Sequence, residues 1–452
     1  MPQQYRRLAL LLVALVPLLA TCGSPPQALQ PDPTAAPSQA APVATSVPSQ
    51  IVPVATSVPS LVPAPQATVT PTLPTAPTLP PQRPTFTPIH TPYLEFGVVS
   101  HLYYTDRTRV LALTKIAGFD WVRQQIHWKD IESSPGVYYW NELDHIVDDV
   151  SANNVKFLIN IVQAPDFYNS ANGKPSDPRT MGNFVEALVR RYGTKIGAIE
   201  IWNEPNLAVE NGGLVTDDDP GRYVELLKEC YTRIKAVEPS IVVLLAAPSS
   251  TGVRNEQIAI PDEDYLRAVY SYQGGIVRQY FDAQALHPGA AANPPETLYP
   301  ENPSRIEGCQ PAPDRCWNDH PTHYFRHIEN IRKLMVEQGL GDHQIWITEY
   351  GWATPNNTPN FEFGNLMTLN KQADYVTRAI TQVYDQYRDE QGRPWVGAMF
   401  LWNMNFSVLW GAQGNPNNEQ ASFSILNPDW SPRPTFIALQ GLHQRLKRDE
   451  GR

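Results

Sequence analysis

From Tyr93 onward, short apolar runs alternate with longer stretches in which apolar residues return every three or four positions. The short runs predict strands and the long ones amphipathic helices. Strands are predicted at 96–100, 121–127, 156–162, 197–202, 241–248, 280–287, 344–349 and 396–402. A helix is predicted after each, at about 107–117, 141–153, 178–192, 220–237, 262–272, 321–338, 370–388 and 432–446. Eight strand–helix units in one domain predict an α/β fold, a closed (β/α)8 TIM barrel over residues 93–452, rather than an open doubly wound sheet. No Gly-rich phosphate turn follows the first strand, which argues against dinucleotide binding. Long loops at the barrel mouth are expected at 288–317 and 353–370.

Before residue 93 the pattern changes. Arg6-Arg7 precede an apolar run from Leu8 to Leu19 and then small residues, the arrangement of an export signal. The run is too short for a comfortable span, which needs about 20 apolar residues. Leu19-Ala20-Thr21-Cys22 resembles a bacterial lipoprotein processing box, so residues 1–22 are expected to be a signal ending in a lipidation site at Cys22. Thr21 departs from the usual Gly, Ala or Ser, leaving ordinary cleavage or an uncleaved anchor as alternatives. Residues 23–92 are rich in Pro, Thr and Ala, with Asp32 and Arg83 their only charges, and repeat Pro-Val-Ala-Thr-Ser-Val-Pro-Ser at 42–49 and 53–60. They read as an extended linker. The expectation is an exported protein, at the cell surface or outside it, lipid-anchored to the membrane.

Composition narrows the partners. The 452 residues carry a formal net charge of −10, which argues against nucleic acid, since phosphate backbones call for clustered Lys and Arg. Cys309 and Cys316 flank a Pro- and Asp-containing segment of an exported chain, so a local disulfide is plausible there. Cys230 lies on the apolar stripe of its helix and reads as an inert buried thiol. No zinc-type Cys/His spacing appears, and neither a metal nor a cofactor is implied. The oligomeric state is open, with a monomer the default.

The chemistry lies in two carboxylates. Trp202-Asn203-Glu204-Pro205-Asn206 places an acid at the abrupt end of an apolar strand, and Ile345-Trp346-Ile347-Thr348-Glu349-Tyr350-Gly351-Trp352 does so again. In a barrel, both would reach the mouth formed by the C-terminal strand ends. Arg123 and His127 on the second strand, Asn203, His287 on the sixth and Trp402 on the eighth would meet them there. Paired acids suggest glycoside hydrolysis.

These residues resemble the clan A glycoside hydrolases, in a family 39-like or family 5-like form, over the chain from about Phe96 to the end. The resemblance implies a retaining enzyme acting on a β-linked poly- or oligosaccharide, with Glu204 as acid/base and Glu349 as nucleophile. It also implies substrate-binding roles for Asn203, Arg123, His287 and Trp402. Arg123 is expected to favour the ionised form of Glu349. Trp128, Trp352 and Trp410 are candidate walls for neighbouring sugars, and His127 and Asn206 could reach the site. The sequence departs from the clan in following His287 with Pro288-Gly289, where many members carry a Tyr two residues after the His. Two other readings stand beside this one: a non-catalytic carbohydrate-binding lipoprotein on a degenerate barrel, and a transglycosylase using the same two acids.

Overall fold

The computed structural model describes residues 87–168, 170, 173–299 and 320–452. The expectations for the leader, for Cys22, for most of the linker and for the Cys309–Cys316 bridge fall outside the described residues.

Eight parallel strands close into a barrel: β1 (Glu95–Val99), β2 (Trp121–His127), β3 (Lys156–Val162), β4 (Ala198–Ile201), β5 (Val242–Leu245), β6 (Ala283–Leu286), β7 (Gln344–Tyr350) and β8 (Val396–Leu401). Each pairs with its neighbours in sequence, and β1 closes on β8 with Gly97 opposite Phe400. The main helices are α1 (Arg107–Ile116), α2 (Asn141–Ala152), α3 (Pro178–Tyr192), α4 (Asp219–Val237), α5 (Asp262–Ser271), α6 (His327–Glu337), α7 (Leu369–Gln386) and α8 (Pro434–Asp449). Local chemistry sets several of their ends. Asp177 caps α3 by accepting from the Arg179 N–H, Pro178 occupies its first turn, and Gly193 leaves it at φ 51°. Thr368 caps α7 through the Lys371 N–H.

The eight-unit pattern holds, with three departures. The helix expected at 321–338 begins only at His327, because Tyr324 is extended after a single turn at Pro321–His323. β4, β5 and β6 stop short of their apolar runs, since Trp202, residues 246–248 and His287 leave the main ladder while remaining buried at the rim. The structure also adds short elements with no periodic signature. They are a hairpin of Glu132–Ser134 with Val137–Tyr138 after β2, and helices Phe406–Ala412 and Glu419–Phe423 after β8.

Side-chain alternation along each strand splits the core into an outer shell under the helices and a plug inside the barrel. Trp121, Trp346 and Phe400 form the plug, with centroids 5.3 to 6.2 Å apart. Ala198, Ala283, Ala285 and Ala398 surround them. Glycine is required opposite Phe400, because a Cβ on Gly97 would stand 2.3 Å from its ring. Two residues further along the same inward rows come Arg123, Glu200, Thr348 and Trp402. The plug is therefore the floor of whatever the mouth holds. Among the described residues, no helix is long and apolar enough to cross a membrane.

Candidate active site

Arg123 stands fully buried above the plug. Its three nitrogens are all engaged: Nε donates to Glu200 Oε2 at 2.9 Å, Nη1 to Glu349 Oε1 at 2.7 Å and Nη2 to Asn203 Oδ1 at 3.1 Å. One guanidinium thus ties together β2, the inward face of β4, the rim after β4 and the end of β7. Burial opposes its charge, but Glu200 and Glu349 outweigh that and raise its pKa further.

His287 lies between the two carboxylates. Its Nδ1 is 3.1 Å from Glu204 Oε1, and its Nε2 is 3.8 Å from Glu349 Oε1 and 3.1 Å from Thr348 Oγ1. Thr348 Oγ1 in turn reaches Glu200 Oε1 at 3.2 Å. Glu204 and Glu349 keep 19% and 21% side-chain exposure, so they open to the mouth, whereas Glu200 beneath them has none.

The backbone around Glu204 is held in an uncommon shape. Trp202 and Glu204 have φ 75° and 41°, in the left-handed region that side chains disfavour. Surrounding bonds hold them there. Asn160 Nδ2 donates to the Trp202 carbonyl at 2.7 Å, the Glu204 N–H donates to Ala247 at 2.9 Å, and the Trp202 indole donates to the Glu210 carbonyl at 3.0 Å. Such conformations persist where the surroundings over-determine them.

The sequence candidates separate on this geometry. Arg123, Asn203, Glu204, His287 and Glu349 form one connected network. Trp402 stands beside it, half-buried, with its ring 4.9 Å from that of Phe406, and its peptide to Asn403 is cis. His127 ends β2 but lies 3.4 Å from Asp130 rather than against either carboxylate. Trp128 is not a sugar wall: it is fully buried on the outer side of β2, stacks on Phe184 and donates its indole N–H to Glu132 at 2.5 Å. Trp352 is fully buried too, bonded to the Asn293 carbonyl and packed on Phe325 and Tyr375. Trp410 is 5% exposed and donates to Gln420. Asn206 spends its amide on backbone, donating to the Ser249 and Ile260 carbonyls and accepting from the Ser249 N–H.

Arg123 favours the ionised form of Glu349 in the expected sense, but it does not set the outcome. Burial pushes the Glu349 carboxyl above its ordinary value; His287 and Arg123 pull it down and Glu204 and Glu200 push it up, for a net rise.

The sequence reading missed three residues. Glu200 interrupts the apolar run 198–201 in phase with the inward Ala198, and a lone acid on an inward row was a legible signal. Thr348 was visible beside Glu349 but chemically silent. Glu210 folds back in the turn Val209–Asn211, where burial and the carboxylate of Glu204 push it up to about 8 while the Asn203 amide hydrogen-bonds it. Nothing in its local sequence marks it. Among the described residues, no group of three or more His, Cys, Asp or Glu is placed to hold a metal ion.

Comparison with known proteins bears on the family and the fold. The family described as Cellulase (glycosyl hydrolase family 5) matches residues 88–376. No curated protein sequence matches the chain. Among solved structures, a family 39 glycoside hydrolase from Bacteroides cellulosilyticus WH2 superposes with a TM-score of 0.55 at 21% identity, over 78% of this chain and 64% of that one. A glucosidase from Croceicoccus marinus gives 0.54 at 15% identity, over 80% and 69%. At these identities the likeness is one of fold, and the chain spans less than two thirds of the first protein's length.

Proposed function

The chain belongs to glycosyl hydrolase family 5, and on that premise we propose that it is a retaining glycosidase cleaving O-glycosidic bonds of a β-linked poly- or oligosaccharide. Glu349 attacks the anomeric carbon, and the bond to the leaving oxygen breaks as Glu204 protonates that oxygen. Glu204, now a carboxylate, takes a proton from water, whose oxygen displaces Glu349 from the sugar. Arg123 holds Glu349 in line through its 2.7 Å bond. Trp402 offers a half-buried ring as the sugar's floor. The observation that carries this reading is a single imidazole, His287, reaching one carboxylate from each of its ring nitrogens.

Turnover of aryl β-glycosides by the purified protein tests it. Glu204→Ala should lower kcat/KM on a poor leaving group by about 10²–10⁴-fold, and Glu349→Ala by at least as much. Unchanged turnover in either variant means that its carboxylate is not catalytic, whereas no turnover by the wild-type protein points to a carbohydrate-binding protein instead. NMR of the first-formed anomer should show retention, and an added sugar acceptor separates hydrolysis from transglycosylation. The family's description favours β-glucan as the first polysaccharide to assay, with xylan and mannan beside it.

The proposal extends to location. Residues 1–22 act as a lipoprotein leader lipidated at Cys22, and 23–92 as a spacer carrying the 93–452 catalytic domain clear of the membrane; the support is Arg6-Arg7, the Leu8 to Leu19 run and the box ending at Cys22. Cys22→Ser should move activity from the membrane fraction to the soluble one.

A further inference from the structure

The hydrogen-bond chain beneath the two carboxylates has a direction. Thr348 has one hydroxyl hydrogen and two acceptors in reach, Glu200 Oε1 at 3.2 Å and His287 Nε2 at 3.1 Å. Glu200 is fully buried and ion-paired with Arg123 at 2.9 Å, so its carboxylate only accepts. A hydrogen bond to a charged partner is about twice as strong as one between neutral groups. Thr348 therefore donates to Glu200, and its oxygen is left to accept from His287. That makes Nε2 a donor. A neutral His287 then has only the Nδ1 lone pair to turn toward Glu204 Oε1, 3.1 Å away, and a bond there needs a proton on Glu204. If the proton moves to Nδ1, Glu204 becomes the acceptor. In both states the pair holds one proton between them.

We propose that Glu200 and Thr348 are positioning residues which, by keeping a hydrogen on Nε2 of His287, commit Nδ1 to sharing a single proton with Glu204, the proton delivered to the leaving oxygen. The inference rests on the reading of Glu204 as acid/base. As the glycosidic C–O bond breaks, its electron pair goes to the leaving oxygen and the shared proton passes through Glu204 to that oxygen. The Glu204 carboxylate then faces the Nδ1 lone pair of a neutral imidazole. The water that follows gives its proton to Glu204, and that proton restores the pair.

The groups around the pair are Arg123 from β2, Glu200 and Glu210 from β4 and its loop, and Glu349 from β7. Burial opposes an imidazolium at His287, but the charges of Glu349 and Glu204 outweigh it and raise the His287 pKa. An imidazolium keeps Nε2–H, so the direction of the chain is the same in either state.

Imidazole ¹⁵N shifts in the full chain read the tautomer without needing turnover, with His287 assigned by its loss in His287→Gln. Nε2 should carry hydrogen in the wild-type protein and in Thr348→Ser, while Thr348→Val should let an Nδ1–H tautomer appear. A bare Nε2 in the wild-type protein, or a Thr348→Val spectrum identical to it, overturns the inference. Kinetics give a second reading, from a phenyl and a 2,4-dinitrophenyl glycoside of the same sugar. The first needs its leaving oxygen protonated and the second does not. Thr348→Val should lower kcat/KM on the phenyl glycoside about tenfold, a part of what general acid catalysis supplies, while kcat/KM on the dinitrophenyl glycoside changes within about twofold. Thr348→Ser should restore the wild-type ratio. Equal losses on both glycosides would mean that Thr348 is merely structural. If Glu204→Ala leaves both substrates unaffected, the assignment of Glu204 fails, and the shifts still report the tautomer on their own.

Discussion

Two layers of side chains on the same strands, two residues apart, have opposite chemistry. In the lower, Trp121, Trp346 and Phe400 fill the barrel against alanine and glycine. In the upper, Arg123, Glu200, Thr348 and His287 fill the same cross-section with a closed set of ion pairs and hydrogen bonds. The lower layer depends on volume, and its contacts have no direction. The upper depends on direction: each donor has an assigned acceptor, and the removal of one member strands the others. The plug also keeps water from beneath Arg123, so that layer strengthens the electrostatics of the one above it.

Four perturbations test how separable the layers are. The largest effect is expected from Arg123→Met, which leaves Glu200 buried without its cation. Such a break costs about 3–5 kcal/mol, and kcat/KM should fall with stability; denaturant melts and turnover on one preparation check both. A stable but inactive Arg123→Met would show that Glu200 finds another partner. Next is Trp346→Ala, which hollows the plug and should cost about 3–5 kcal/mol, with kcat/KM of the folded enzyme little changed well below the transition. A large loss of turnover there would mean that the floor also positions the chemistry.

Gly97→Ala should be smaller, about 1–3 kcal/mol from overpacking against Phe400, read as a lowered Tm. An unchanged Tm would show that the ring swings aside. The smallest effect concerns Glu210, whose folded carboxyl near 8 lies above the ordinary glutamate value of 4.5. Between those values the folded state holds a proton that the unfolded state has released, so this group's contribution to stability falls as pH rises through the window. Glu210→Gln removes that fall. Its Tm relative to the wild-type protein should rise between melts below pH 5 and above pH 8, and a constant difference would remove Glu210 from the buried network.

The fold was legible because strand and helix periodicities are local. All eight predicted strands overlap observed ones, and α3 matches at both ends. Where the reading failed, context had overridden pattern. Trp128 and Trp352 carry the composition of sugar platforms, but strand phase and loop packing turned both into buried core. The 321–338 helix lost its first turns to an extended Tyr324, whose ring is buried. Glu200 was readable in principle from strand phase, whereas Glu210 reaches the site only through a turn that folds back on Trp202.

The sequence by itself determined the eight-unit barrel, the two strand-end carboxylates and the cation on β2, because apolar periodicity and an acid at the end of an apolar run are properties of a few consecutive residues. Tertiary structure alone decided which tryptophans face the mouth, that burial outweighs Arg123 at Glu349, and that Thr348 and Glu200 give His287 a direction. Those outcomes depend on distances between strands far apart in sequence, and on how completely water is excluded from the space they enclose.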